Sequence, residues 1–252
     1  MKVLVCIKHV LDVAELKIDS KTRAPVLAGV PFKISDFDKN ALEEAIKIKE
    51  KQGADVSVLS MGPERVKEGL KEALAMGADE AFAAISESYD TLVDSKVLAK
   101  AIEKIGFDLV LCGEASIDSY SGQMAPRVAE RLEIPQITYA QKISLEDGKV
   151  TVERDMEDGI EVVEANLPCL ISVVKTINEP RLPTIMQILA ASKKATTTWS
   201  LGDLGIEGDL SKEKAIVVIE NISPPSERKG VVFEGDDAVE QLAKVLVKEI
   251  GG

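Results

Sequence analysis

Residues 108–124 read DLVLCGEASIDSYSGQM. Asp108–Gly113 is a continuous apolar run of strand length, which suits a strand buried on both faces. A polar loop follows, and Gln123–Leu132 then takes up helical spacing. Toward the N-terminus, Ala54–Met61 is a second buried strand, ending in Gly62-Pro63. Pro63 suits the first position of a helix that carries Val66, Leu70, Ala73 and Leu74 and stops at Gly77. A strand near Ala81–Ile85 precedes a helix over Thr91–Ile105, which Gly106 closes. Strand starts near Ala54, Glu80 and Asp108 lie 26 and 28 residues apart, the spacing of successive βαβ units. Continuous apolar strands alternating with amphipathic helices imply an α/β fold, with a parallel sheet covered on both faces.

The pattern extends in both directions. Lys2–Lys8 reads as a strand, followed by an irregular or hairpin region to about Ile34. Ser35-Asp36-Phe37-Asp38 resembles a capping box, with Ser35 as the cap and Asp38 three positions on. The helix behind it places Phe37, Ala41, Leu42, Ala45 and Ile46 on one face and ends at Gly53. Beyond Pro135 the pattern changes to strands at Ile137–Ser144, Lys149–Asp155, Ile160–Ala165 and Cys169–Val174, the first two joined through a Leu145–Gly148 hairpin turn. Asn178–Pro183 is a proline-bounded loop before a short helix near Thr184–Ala191. Trp199 and the three threonines before it read as a strand with one anchoring aromatic. Little pattern then remains until Ile216–Glu220 and a last helix over Asp237–Ile250, which suits an arm packed on a partner. The expected division is an α/β domain over 1–192 and an arm over 193–252.

Bulk properties exclude several functions. The chain has 252 residues and 43 acids against 31 bases, and no basic stripe offsets the net charge of −12, which argues against nucleic-acid binding. No apolar run reaches the length of a membrane span, and the N-terminus lacks the zones of a signal peptide, so a cytoplasmic protein without membrane insertion is expected. Cys6, Cys112 and Cys169 are far apart in apolar runs and read as reduced core thiols. With a single histidine and no Cys-x-x-Cys, neither a structural zinc site nor a Ser/His/Asp triad is available. That histidine, His9, reads as a satisfied structural residue rather than a cofactor or partner ligand. Glu157, Asp158 and Glu161, with Arg154 nearby, could do acid–base or metal work. Asp158-Gly159 between two strand patterns favours an acidic hairpin turn instead.

The Gly113–Met124 loop lies at the carboxyl end of a strand and runs into a helix N-terminus, where doubly wound folds place ligands. Gly113 and Gly122 permit close backbone approach, and Ser116, Ser119 and Ser121 supply hydroxyls. The leading amides of the next helix form an anion site that needs little lysine. Neither GxGxxG nor GxxxxGK[ST] is present. Spacing alone leaves both a nucleotide site and an ordinary strand-to-helix loop open.

Val152–Ser172, VERDMEDGIEVVEANLPCLIS, closely resembles the signature of electron-transfer flavoprotein beta subunits, through Arg154, Glu157, Asp158, Glu161, Pro168, Leu170, Ile171 and Ser172. VLVCIKHVLD, ALEEAIKIKE, SMGP, ALAMGAD, DLVLCG, NEPRLPTIM and SLGDLGI are similar to the same family in order, from Lys2 to about Leu246. The resemblance implies a Rossmann-like, doubly wound parallel sheet of the adenine-nucleotide-binding type, with a hairpin extension and a C-terminal arm. It implies an electron carrier without substrate chemistry of its own, paired with an alpha subunit that holds most of one FAD. A second nucleotide inside the beta subunit, usually AMP, is replaced by FAD in electron-bifurcating relatives. The implied route runs from flavin dehydrogenases such as acyl-CoA dehydrogenases to a membrane quinone oxidoreductase or another acceptor.

Carried over by position, Cys6, Ser35 and Met61 fall around the adenine and ribose. Gly113, Asp118, Ser119, Ser121, Gly122 and Gln123 fall in the phosphate loop, and Phe37 falls beside the flavin ring. Leu182, with Pro183, Ile185 and Met186, falls in a recognition loop near 178–191 that docks redox partners, and Pro183 biases Leu182 to an extended backbone. The loop between Asp118 and Gly122 is shorter than in many relatives, and Val13 stands where an aromatic residue often faces the flavin. The alternative is a stand-alone adenine-nucleotide-binding module of the stress-protein type, which has no need of the C-terminal arm or of NEPRLPTIM. Donor, acceptor and electron bifurcation stay open.

Overall fold

Alternation along the first strand sets up two helical layers. In the computed structural model, which describes residues 1–87, 89–225 and 230–250, β1 (Lys2–Cys6) turns Val3 and Val5 to one face and Leu4 to the other. Two short hairpins follow. β2 (His9–Leu11) pairs with β5 (Phe32–Ile34), and β3 (Lys17–Ile18) with β4 (Pro25–Val26). The expected βαβ units then run through α1 (Asp36–Gln52), β6 (Asp55–Gly62), α2 (Val66–Met76), β7 (Glu80–Ile85), α3 (Thr91–Ile105) and β8 (Leu109–Gly113). After α4 (Met124–Leu132) come β9 (Gln136–Glu146), β10 (Lys149–Met156), β11 (Gly159–Asn166) and β12 (Cys169–Val173). The chain continues through α5 (Ile185–Ala191), β13 (Thr196–Trp199) and α6 (Ala238–Ile250).

Nine strands form one sheet in the order β11-β10-β9-β12-β8-β1-β6-β7-β13. It is parallel from β9 to β13, and β10 and β11 add the antiparallel hairpin extension. α1 and α2 bury Leu42, Ile46, Leu70 and Leu74 against Val3, Val5, Val56 and Leu111. On the opposite face α3 and α4 bury Val97, Ile102 and Val128 against Leu4, Leu59, Val110 and Leu170. Each fully buried leucine or isoleucine contributes about 1.5–3 kcal/mol, so both faces of the sheet are strongly covered. The chain leaves β1 toward β6 and β7 and returns to its other side at β8. The switch point of this doubly wound sheet therefore lies at the carboxyl ends of β1 and β8.

Several local expectations are corrected. Ser35 stands at the N-cap of α1, but its side chain makes no cap hydrogen bond; tertiary partners have claimed both it and Asp38. Pro63 does not open α2. It sits in a turn whose carbonyl accepts from Val66 N–H at 2.9 Å, and the helix begins at Val66. Ile216–Glu220, where pattern reappears in the sequence, takes up no regular element, and Ile216–Ile219 lie exposed. β13 does form, parallel to β7, with Trp199 stacked on Phe82 at 5.2 Å between ring centroids.

The chain divides into two compact units. One comprises Met1–Leu16 and Leu27–Ile219, so it continues past the division expected at 192. Its last segment is tied down by Asp90, whose carboxylate caps α3 through Val93 N–H and also accepts from the amides of Ala215 and Ile216. The other unit joins Lys17–Val26 to the chain from Glu220 onward. There Ser223 N–H donates to the Arg23 carbonyl at 2.8 Å, and α6 buries none of its side chains. Among the described residues, no helix is long and apolar enough to cross a membrane.

Candidate functional site

At the switch point, a buried carboxylate organises the ends of two strands. Asp38 lies in the first turn of α1, where a helix N-terminus favours negative charge. One of its oxygens accepts from Lys8 N–H at 2.8 Å, just past β1, and the other from Gly113 N–H at 2.9 Å, at the end of β8. Burial drives its pKa up to about 7, against the pull of those two amides and the Lys8 charge, while Asp118 adds to the rise. Gly113 packs onto the same helix end so closely that a Cβ would stand 2.5 Å from Phe37 Cβ and 2.8 Å from Asp38 Oδ1. Only glycine fits there.

The loop after Gly113 is wired to this floor. Ser35 Oγ accepts from Ile117 N–H at 3.3 Å, which is why it does not cap α1. Lys8 Nζ pairs with Asp118 at 2.7 Å, and the Ser116 and Ser119 hydroxyls are 3.0 Å apart. Burial raises the Asp118 carboxyl, but the Lys8 ammonium and the Ser116 hydroxyl outweigh it and hold the group below the usual range. Tyr120 adopts the left-handed region at φ 47°, held by its N–H to the Ser116 carbonyl and set edge-on to Phe37 at 5.7 Å. Gly122, at φ 64°, turns the chain into α4. Gln123 accepts from Arg127 and contacts Thr91.

Cys6 and Met61, at the ends of β1 and β6, pack with Cys112 against the α3 and α4 face. Burial, with the Asp38 charge, pushes the Cys6 thiol up to about 12, and burial likewise raises Cys112. Neither thiol is activated as a nucleophile. Ser35, Phe37, Cys6, Met61 and the 113–123 loop thus meet at the carboxyl ends of β1, β6 and β8.

The donor set fits a nucleotide. The first intrahelical bond at the start of α4 runs from Arg127 N–H to the Gln123 carbonyl; Gln123 N–H donates to Ser121 Oγ at 3.5 Å and Pro126 has no N–H, which leaves the amides of Met124 and Ala125 for an anion. The Ser119 and Ser121 hydroxyls stand beside them, and the thiol and thioether of Cys6 and Met61 offer an apolar wall to a base. Beside Gly122 opens a cleft of 360 Å³ lined by Pro126, Thr138, Tyr139, Arg154 and Val163.

Arg154 is committed to structure. It donates to the Thr138 carbonyl at 2.8 Å and pairs with its cross-strand neighbour Glu161 at 2.6 Å. Among the described residues, no group of three His, Cys, Asp or Glu could hold a metal. His9 lies apart, against Phe32 at 5.5 Å, and its buried Nδ1 has no hydrogen-bond partner, unlike the satisfied residue expected.

The 178–191 segment is a second, separate feature. Asn40 and Glu43, buried on α1, hold it by polar contacts. Asn40 donates to the carbonyls of Lys175 and Asn178, and Glu43 accepts from the backbone and guanidinium of Arg181. Arg181 also pairs with Glu50 at 2.6 Å. Pinned on both sides, Leu182 stands 90% exposed, and Ile185 and Met186 follow it outward on α5, whose start Thr184 and Gln187 close as a reciprocal capping box.

Asp38 and Lys8 were not anticipated from the sequence. A signal existed for Asp38, since it shares the helical face of Ala41, Leu42 and Ala45, where a charge is out of place.

A family model described as "Electron transfer flavoprotein domain" matches residues 26–204. The chain is 42% identical to an electron transfer flavoprotein subunit beta of Thermoanaerobacterium thermosaccharolyticum, over 98% of each chain. It is 40% identical to the caffeyl-CoA reductase-Etf complex subunit CarD of Acetobacterium woodii, over 99% of this chain and 98% of that one. Against protein FixA of Azorhizobium caulinodans the identity is 34%, over 99% and 94%.

Proposed function

This chain belongs to the electron transfer flavoprotein family, on its beta-subunit branch, and from that premise we propose that it is a carrier subunit, with no substrate chemistry of its own, that binds an adenine nucleotide on the 113–123 loop. It pairs with an alpha subunit and shares one FAD with it. The carrying observation is the wiring of that loop to the strand ends through Asp38, Ser35 and the Lys8–Asp118 pair. AMP is the nucleotide proposed, with a second FAD as the alternative. Cys6 and Met61 flank the base, Ser35 meets the ribose, and Ser119, Ser121 and the amides around Gly122 and Gln123 take the phosphate. Such an arrangement needs few cations, as suits a chain of net charge −12. Phe37 borders the flavin ring. FAD, when bound, supplies the redox chemistry; these residues position it and exclude water.

Leu182, Pro183, Ile185 and Met186 form the surface proposed to meet redox partners: flavin dehydrogenases such as acyl-CoA dehydrogenases on one side, a quinone oxidoreductase or other acceptor on the other. Likeness to a subunit of a caffeyl-CoA reductase complex supports a partner that handles CoA esters, and keeps electron bifurcation as a variant of the same role. The cytoplasm is the proposed compartment.

The chain expressed without its partner should retain a nucleotide but little flavin. Desalting under gentle conditions, followed by mass identification of what is released, checks this. Protein free of any nucleotide would count against the loop. The chain from Ile216 onward, whose described residues are largely exposed and whose α6 buries no side chain, should be ordered by the alpha subunit. Amide exchange across 216–250 should slow markedly in the complex, and equal protection in both states would remove the arm from the interface.

A further inference from the structure

We infer that Asp38 is the positioning residue of the nucleotide site, and that its ionised carboxylate is what holds the floor of that site in its binding form. The inference rests on the proposed nucleotide reading and adds a residue and a control to it. The geometry is specific. Lys8 N–H and Gly113 N–H close the crevice floor from two different strands, and each donates to a different oxygen of one carboxylate, at 2.8 and 2.9 Å. Without that acceptor, the two amides at the strand ends would be left without a partner. Lys8 also carries Asp118, and Gly113 begins the loop, so the start and the middle of the proposed phosphate segment are registered through Asp38. The fixed negative charge under the strand ends has a second effect. It disfavours an anion directly over β1 and β8 and leaves that place to an uncharged base and sugar, with the phosphate displaced toward α4.

Protonation undoes this arrangement. A neutral carboxyl presents one strong acceptor and one hydroxyl, so it serves only one of the two amides well. Burial raises the Asp38 pKa to about 7, so ionised and neutral forms exchange within the neutral range. The groups facing it are the Lys8 ammonium beyond β1, the Asp118 carboxylate on the loop, and the Cys6 and Cys112 thiols on β1 and β8. Asp118 is held ionised, and both thiols are held neutral, across pH 6–8. Only the ionised fraction of Asp38 is binding-competent. Apparent affinity should therefore rise with pH, by about tenfold from pH 6 to pH 8, following that fraction.

Adenosine is the probe of choice, because its charge does not change over this range; AMP serves as the comparison. Calorimetric titrations of the full-length chain, first stripped of retained nucleotide with its removal checked by mass, should show adenosine affinity rising about tenfold from pH 6 through pH 7 to pH 8. In Asp38→Asn one amide faces the carboxamide NH₂, donor against donor. Its affinity should be at least tenfold below the parent at pH 8, flat with pH, and nearly equal to the parent at pH 6. The variant also separates Asp38 from Glu114, whose carboxyl is likewise raised by burial and by Asp155. A parent profile flat between pH 6 and 8 overturns the inference, even if the variant does not fold. So does a variant that keeps the parent's slope. A parent that binds neither adenosine nor AMP at any pH removes the nucleotide reading itself, and the role of Asp38 with it.

Discussion

Gly113→Ala should lower stability by an amount at the upper end of the roughly 1–3 kcal/mol seen when an extra carbon is forced into a packed site, and should strip the protein of nucleotide. The added Cβ would stand 2.5 Å from Phe37 Cβ and 2.9 Å from Phe37 C. The second of these is backbone in the first turn of α1 and cannot swing aside as a side chain can. Relief requires moving α1 away from β8, which lengthens the Asp38 bond to Gly113 N–H and carries Ser35 away from Ile117. Stability and nucleotide content should fall together, as read by urea unfolding and by nucleotide released per chain. A variant with the parent's urea midpoint and a full nucleotide complement would show that the helix end is far softer than this contact implies.

Leu182→Ala should do the opposite, removing function while leaving the fold intact. The side chain is 90% exposed, so truncation opens no cavity, and the unfolding midpoint should stay within about 0.5 kcal/mol of the parent. As a docking anchor it should weaken electron transfer to a partner by roughly 1–3 kcal/mol, or about five- to 150-fold in the apparent affinity for that partner. Arg181→Ala provides the contrast one residue away. It leaves Glu43, only 5% exposed, without its cation and should destabilise the protein by about 1–3 kcal/mol, after allowance for the partly exposed guanidinium. Partner kinetics unchanged in Leu182→Ala would place the docking surface elsewhere.

The alternation of buried runs with 3.6-residue periodicity made the βαβ core legible, and Gly53 and Gly106 marked helix ends that the structure keeps. Local reasoning failed wherever a short-range motif competed with a distant partner. Ser35 and Asp38 have the spacing of a capping box, yet the Ser35 hydroxyl serves Ile117, and the Asp38 carboxylate serves Lys8 and Gly113, 30 and 75 residues away. No window of helical length contains those amides. Ile216–Glu220 shows the converse: its β-branched residues favour a strand, but strand formation needs a neighbour, and none of the described residues pairs with it there. In the candidate site, the loop was visible from its glycines and serines, whereas its charged floor depended on which strands the topology sets side by side.

The smaller unit imposes an order of events on biosynthesis. Among the described residues, the backbone bond between its two segments joins Ser223 to Arg23, positions two hundred residues apart. On a ribosome the 17–26 hairpin emerges among the first residues, but its counterpart leaves the exit tunnel only after every strand of the nine-stranded sheet has been made. Chains fold vectorially as they are synthesised, and closing so long a loop is slow beside forming local contacts. The early hairpin therefore waits through nearly the whole of translation with its pairing surface uncommitted, and a chain stalled before residue 220 carries a finished sheet that has not completed this unit.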